Sequence, residues 1–326
     1  MINLFRRSNI GNLIGLLIYT FFLRMAIFFN GPEKWNFEFL EPYTKLLLQI
    51  PKTALLNPGP NVMVAAILVF VQALWFNRIV NNHGLLQKPS DLPALMYISG
   101  SSLFLQFQII SPPLVCNFLL LWMMDKFLKL GKSNNALYML FDIGMLIALG
   151  TLIYFPFVVL LSMLWLSLLL YRSFNWREWI AGLFGFLTIF FILGVIFYWQ
   201  GNFSSFKQIW LPLTNSFPTV FDINYKDYFV LIPVIIMIIL ALLQLRENFF
   251  RSFINTRKAF QMLFFMFVVG VLGFYTKPDF RLYHFLLCVP PGAVLLAYYF
   301  SNAKIRWFYE SLFAIFVICM QYFLFV

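Results

Sequence analysis

The chain alternates long apolar runs with short polar connections, and the runs have the length of membrane crossings. Mainly apolar stretches at 10–29, 61–79, 94–111, 151–171, 179–199, 228–245, 259–275, 284–300 and 306–326 approach the roughly 20 residues that span a hydrocarbon core as a helix. Two shorter runs, 113–124 and 136–150, have the length of re-entrant or broken helices, and Pro112 and Pro113 open the first of them. The pattern predicts an all-α polytopic transmembrane bundle of 9–11 membrane helices, forming a single membrane domain over residues 1–326. Two connections are long, 30–60 and 200–227. Within the first, Phe39, Tyr43, Leu46, Leu47 and Ile50 share one side of a helical wheel, and Glu38, Glu41, Lys45 and Gln49 the other. That two-sided pattern predicts an amphipathic helix lying in the membrane interface.

Composition agrees with the pattern. Of 326 residues 62% are hydrophobic and 11% charged, against about 25% charged in a soluble domain. The net charge of +11 comes from 23 bases scattered between apolar runs rather than gathered in a stripe, so it does not indicate nucleic acid as a partner. It reads instead as topology information. With the N-terminus cytoplasmic, fifteen bases fall on the cytoplasmic side and seven outside, and Arg24 lies within the first span. Cytoplasmic loops are enriched in Lys and Arg, so the bias predicts a cytoplasmic N-terminus and a C-terminus on the outer side. Both long connections then face outward. Arg6 and Arg7 precede an apolar stretch without a small-residue cleavage site, which predicts an uncleaved first helix rather than a signal peptide.

Few side chains could carry chemistry. Cys116, Cys288 and Cys319 stand singly in apolar segments, and His83 and His284 are the only histidines, so the sequence supplies no multi-histidine metal centre. No phosphate-binding glycine loop, HExxH pair or serine-hydrolase elbow is present. The candidates are charged residues in or beside the spans. Arg24 sits about five residues from the outer end of the first span, where it either snorkels to the interface or turns its fork inward to hold a phosphate or carboxylate. Asp142 lies in ALYMLFDIGMLIALG with no neighbouring base. A short acid cannot snorkel, so it should face the bundle or a wet cavity, either in a structural pair or as a functional carboxylate. Glu33, Glu38 and Glu41 belong to the first outer loop, as interfacial polar groups or at the mouth of a lipid-accessible cavity. Lys277, Asp279, Arg281 and His284 cluster at the outer boundary in YTKPDFRLYHF. That cluster reads as a solvated rim or as a site for a phosphorylated or sugar-bearing ligand.

The stretches MINLFRRSNIGNLIG, SPPLVCNFLLLWMMDKFLKLGKSNNALYMLFDIGMLIALGTLIYFP and YRSFNWREWIAGLFG resemble a family of inner-membrane proteins from Bacteroidota, which implies a multi-pass protein of the cell inner membrane. The architecture is also similar to the GT-C glycosyltransferases of cell-envelope glycan assembly. That resemblance implies a polyprenyl-phosphate-linked sugar as donor and a carboxylate near the first helix in catalysis or metal binding. Glu33 is then the nearest candidate, with Glu38 and Glu41 as alternates. Arg24, Lys277 and Arg281 would meet the donor phosphate, and a divalent metal ion is the cofactor the resemblance leaves room for. The first loop lacks the adjacent acidic pair that many such enzymes carry, and no soluble outer domain follows the last span. Two other classes stay open: a transporter or flippase for a lipid-linked or anionic substrate, and a non-catalytic scaffold subunit with envelope-complex partner proteins. Membrane lipid is a partner in all three.

Overall fold

Prolines and small polar residues decide where the helices stop. The computed structural model describes residues 1–30, 58–131, 133, 135–201, 203, 206, 229–248, 253–276 and 282–325. These form helices α1 (Ile2–Phe5), α2 (Ile10–Asn30), α3 (Pro58–Asn82), α4 (Leu92–Gly100), α5 (Pro112–Leu130) and α6 (Ala136–Ile153). There follow α7 (Ser162–Tyr171), α8 (Trp176–Trp199), α9 (Leu231–Asn248), α10 (Ile254–Leu272), α11 (Val289–Asn302) and α12 (Arg306–Phe325). No strand occurs among the described residues. Among the described residues, six helical segments are long and apolar enough to cross a membrane: Gly59–Asn82, Ala136–Ile153, Trp176–Trp199, Leu231–Asn248, Ile254–Thr276 and Leu282–Asn302. The chain is a multi-pass membrane protein in that sense. The amphipathic segment within 30–60 and the connection 207–227 lie outside the described residues.

Two predicted spans are not continuous helices. The run 94–111 breaks after Gly100, because Ser101 turns its hydroxyl onto the Ile98 carbonyl at 3.0 Å and Gln108 binds the Ser102 carbonyl at 3.0 Å. Small polar side chains that bond their own backbone compete with the helical ladder. A single 3₁₀ turn, Leu105–Phe107, follows, and Ser111 is extended ahead of Pro112, as the residue before a proline prefers. The run 151–171 breaks at Tyr154, since Pro156 cannot continue α6. It resumes as a 3₁₀ stretch, Phe155–Leu161, before α7. Conversely 136–150, too short on paper, is a full helix of 18 residues that reaches Ile153.

Burial separates a centre from a rim. The segment Leu282–Asn302 is 89% buried, whereas Leu231–Asn248 is 22% buried and turns Ile232, Ile235, Ile236 and Ile239 outward. Apolar side chains facing outward on a spanning helix are what lipid contact requires. The closest helix pair is α6 against α8. A Cβ on Gly144 would stand 2.0 Å from the Gly182 carbonyl oxygen, and one on Gly185 the same distance from that of Phe141. Only glycine allows that approach, which replaces side-chain packing with backbone contact, as small residues do between membrane helices.

Successive helices run between two ends. At one, Asp91 starts α4 beside the beginning of α2 and the last turns of α3; at the other lie the end of α2, the start of α3 and the break after α4. The opening segment is pinned to the Asp91 end. Arg6 donates to the Phe300 and Ala303 carbonyls at 3.0 and 2.6 Å and stacks over Tyr309, while Glu310 accepts from the Ile2 and Asn3 amides. The MINLFRRSN stretch, read above as a family marker, is a structural clasp.

Candidate functional site

Arg24 is the side chain whose surroundings least account for it. It lies on the buried face of α2 with Leu16, Tyr19, Thr20, Leu23 and Ile27, and none of its surface is exposed (0%). It therefore does not snorkel. Nη1 donates to the Thr20 carbonyl at 3.3 Å, a carbonyl of its own helix, while Nε and Nη2 are buried without a hydrogen-bond partner. A guanidinium stays charged in proteins, and a buried charge without an opposite partner is among the most costly groups to fold around.

The neighbouring helix brings further polar groups to the same depth. Tyr19 and Ser99 bond at 2.9 Å, tying α2 to α4; the Ser99 hydroxyl donates to the Leu95 carbonyl at 2.8 Å, so the tyrosine is the donor of the pair. Both helices start at the Asp91 end and run the same way. Arg24 therefore stands about 7.5 Å beyond that tie along α2, and Ser102 about 4.5 Å beyond it along α4. Ser102, where the break between α4 and α5 begins, thus lies within about 3 Å of the depth of Arg24. Asn61, in the first turn of α3, accepts from the Ile110 amide at 2.9 Å and holds the break against that helix. Deeper in, Tyr97 donates to Gln72, and Gln72 donates to the Leu114 carbonyl at 2.7 Å. Within the break, Ser102 Oγ, Gln108 Oε1 and Ser111 Oγ are buried and unpartnered.

The charges sort by end. By the course of the chain, every described acid and every described base except Arg24 belongs to the Asp91 half, and there Asp91, Asp125, Asp142, Glu178 and Glu310 are partnered. Asp125 pairs with His83 at 2.8 Å and with Lys129 at 2.5 Å; Glu178 faces Arg172 at 3.4 Å. Asp142 pairs with Lys126 at 2.7 Å, both side chains partly exposed at 44% and 16%. Its position is the structural pair, on the flank of the α5–α6 hairpin rather than inside the bundle, and in the half away from Arg24. The base lay sixteen positions back in sequence, out of reach of a search of near neighbours.

His284 is not on a rim. It is buried in the 3₁₀ turn Leu282–Cys288, with Nε2 2.9 Å from the Gly270 carbonyl and Nδ1 2.9 Å from the Tyr154 hydroxyl. A carbonyl only accepts, so Nε2 carries the proton and Nδ1 accepts from Tyr154. Both nitrogens are committed to holding three segments together. Glu33, Glu38, Glu41, Lys277, Asp279 and Arg281 lie outside the described residues. Among the described residues no three His, Cys, Asp or Glu side chains gather to hold a metal ion.

The sequence matches DUF6427, a family of unknown function, over residues 43–326. The chain belongs to that family. No curated protein and no solved structure matches it. The DUF6427 match takes in Asp91, the break at 101–111, the Lys126–Asp142 pair and His284, and begins after α2. The reading of the residues alone missed Asp91 and the Ser102, Gln108 and Ser111 group. The latter did leave a signal: serines and glutamines inside an apparently spanning run are expensive unless they serve a site.

Proposed function

We propose that this DUF6427 member is a multi-pass protein of the cell inner membrane that transfers a sugar from a polyprenyl-phosphate donor at the outer face during envelope glycan assembly. The observation that carries this reading is Arg24, a buried guanidinium with two nitrogens left to bind an anion inside a membrane bundle. A bidentate guanidinium matches phosphate geometry, and a phosphate on a lipid tail can reach that depth from the side. The crowding of all other described bases at the Asp91 end supports a cytoplasmic N-terminus, an outer C-terminus and an Arg24 end that faces outward. The reading also retains nine to eleven crossings and the interfacial helix of the first outer loop.

In the proposed chemistry the acceptor hydroxyl oxygen attacks the anomeric carbon and the carbon–oxygen bond to phosphate breaks. A carboxylate takes the hydroxyl proton, and the polyprenyl phosphate leaves with the bonding pair, its added charge offset by Arg24. Glu33 is the carboxylate of choice, because it follows the last residue of α2 by three positions and is the nearest of the three to Arg24 in the sequence. Glu38 and Glu41 are the alternates. A divalent ion, if the enzyme uses one, belongs to the same loop.

The test is mass spectrometry of lipid-linked sugars in a deletion strain complemented with wild type, Arg24→Met or Glu33→Gln. A precursor that accumulates in the deletion and clears only with wild type supports transfer. An unchanged lipid-sugar profile across all strains overturns it. A second reading, translocation of the same class of lipid, is favoured by the broken α4–α5 passage, since interrupted helices frame the sites of many transporters. Movement of the lipid across proteoliposomes without a covalent product would select that reading.

A further inference from the structure

This inference rests on reading Arg24 as a phosphate site and asks what the polar atoms level with it are for. Three atoms of the α4–α5 break are buried without a partner: Ser102 Oγ, Gln108 Oε1 and Ser111 Oγ. None is occupied with local structure. Gln108 is fixed by its amide nitrogen on the Ser102 carbonyl at 3.0 Å, so its side chain is held in place and its oxygen remains an acceptor. Ser111 occupies the N-cap of α5 yet makes no capping bond, leaving its hydroxyl uncommitted. Asn61 and Gln72 anchor the α5 side of the break to α3 through the Ile110 amide and the Leu114 carbonyl, and Tyr97 ties α4 to Gln72 on the other side, so the segment is braced rather than loose.

The chemistry of the two groups is complementary. Arg24 offers only donors and a positive charge; Gln108 Oε1 offers only an acceptor, and the serine hydroxyls offer both. A fully ionised phosphate satisfies Arg24 but has no proton for Gln108. A metal ion would suit the three oxygens, but the fixed charge of Arg24 at the same depth opposes it. A ligand that answers both halves carries an anion beside hydroxyl groups.

We propose that the segment 101–111 recognises the sugar hydroxyls of a lipid-linked glycosyl phosphate whose phosphate rests on Arg24, with Gln108 as the principal acceptor and Ser102 and Ser111 as its companions. The segment is therefore the specificity element of the site, and Arg24 its affinity element. Gln108 Oε1, the acceptor left unmatched by the bare lipid, is worth about 3- to 10-fold in binding, so glycosylated lipid binds about 10-fold more tightly than bare lipid.

The experiment measures dissociation constants by native mass spectrometry on the purified full chain with three probes: polyprenyl phosphate, its monohexosyl phosphodiester, and a water-soluble hexose phosphate. Wild type should rank the glycosylated lipid first. Gln108→Met should remove most of the preference for it while leaving the bare lipid's affinity within about twofold. Ser111→Ala, a smaller change that keeps the test alive if Gln108→Met does not fold, should remove part of it. Arg24→Met should weaken both lipids. An unchanged preference in Gln108→Met and Ser111→Ala, or no preference in wild type, overturns the assignment of 101–111 even where Arg24→Met still loses phosphate binding. If Arg24→Met binds both lipids as wild type does, it is the phosphate reading beneath that fails. Equal affinity for the soluble hexose phosphate overturns the lipid-linked part of the proposal.

Discussion

At one end of the bundle Asp91 is buried with four donors on its two oxygens: Ser8 Oγ and Asn77 Nδ2 on one, the Asn9 amide and Asn12 Nδ2 on the other, at 2.8–3.2 Å. At the other end Arg24 is buried with one carbonyl for three nitrogens. Among the described residues neither has an opposite charge beside it. The carboxylate is solvated by the protein itself, its donors drawn from the opening segment, the first turn of α2 and α3, so it stitches those pieces to the start of α4. The guanidinium is stitched to nothing outside its own helix. A buried charge that is fully hydrogen-bonded specifies a structure, whereas one left with free donors costs stability and is explained by what it binds.

Removing each group should therefore act in opposite directions. The largest loss is expected for Asp91→Ala, which strands the Asn12, Asn77 and Ser8 donors and the Asn9 amide together. Hydrogen bonds to a charged group contribute about 1.5–3 kcal/mol each, so a total of about 3 kcal/mol or more should appear as a fall in thermal midpoint and poor recovery from the membrane. Gly185→Leu comes next, at about 3 kcal/mol, because the new side chain would meet the Phe141 backbone and push α8 from α6; unfolding of the purified chain measures it. Arg24→Met reverses the sign. Replacing an unpaired buried charge by an apolar side chain of similar length should raise stability by about 1–3 kcal/mol while abolishing sugar transfer in complemented cells. The smallest effect belongs to Asp142→Asn. Its pair with Lys126 is partly exposed, so about 1 kcal/mol or less should be lost and the lipid-sugar profile should stay as in wild type. Loss of transfer in a well-folded Asp142→Asn would move the site to the Asp91 half.

How much of this was legible in the sequence depended on range. Apolar length and composition suffice for α3, α8, α9 and α10, because a spanning helix satisfies its backbone within itself. They fail where local chemistry interrupts the run. Averaged over 94–111, the apolar residues outvote Gly100, Ser101, Ser102 and Gln108, yet those four are what end α4. Pro156 splits 151–171 in the same way. The site was half legible. Arg24 stood out as a base inside a span, but whether it snorkelled or turned inward depended on which neighbours covered it. Asp91 did not stand out, since an acid in a connection reads as solvated; Ser8, Asn9, Asn12 and Asn77 converge on it from positions 14 to 83 residues away. His284 was legible as a polar residue near a boundary but not as a buried strut, because Tyr154 lies 130 positions distant.

The most direct measurement is the thermal midpoint of wild type and Arg24→Met, each with and without polyprenyl phosphate. A ligand present at a hundredfold excess over its dissociation constant adds about 2.7 kcal/mol to the form that binds it. The account predicts that Arg24→Met is the more stable protein without lipid and gains nothing from it, while wild type gains about 2.7 kcal/mol and closes most or all of the gap. A variant that is less stable than wild type without lipid, and that gains as much as wild type when lipid is added, would contradict it.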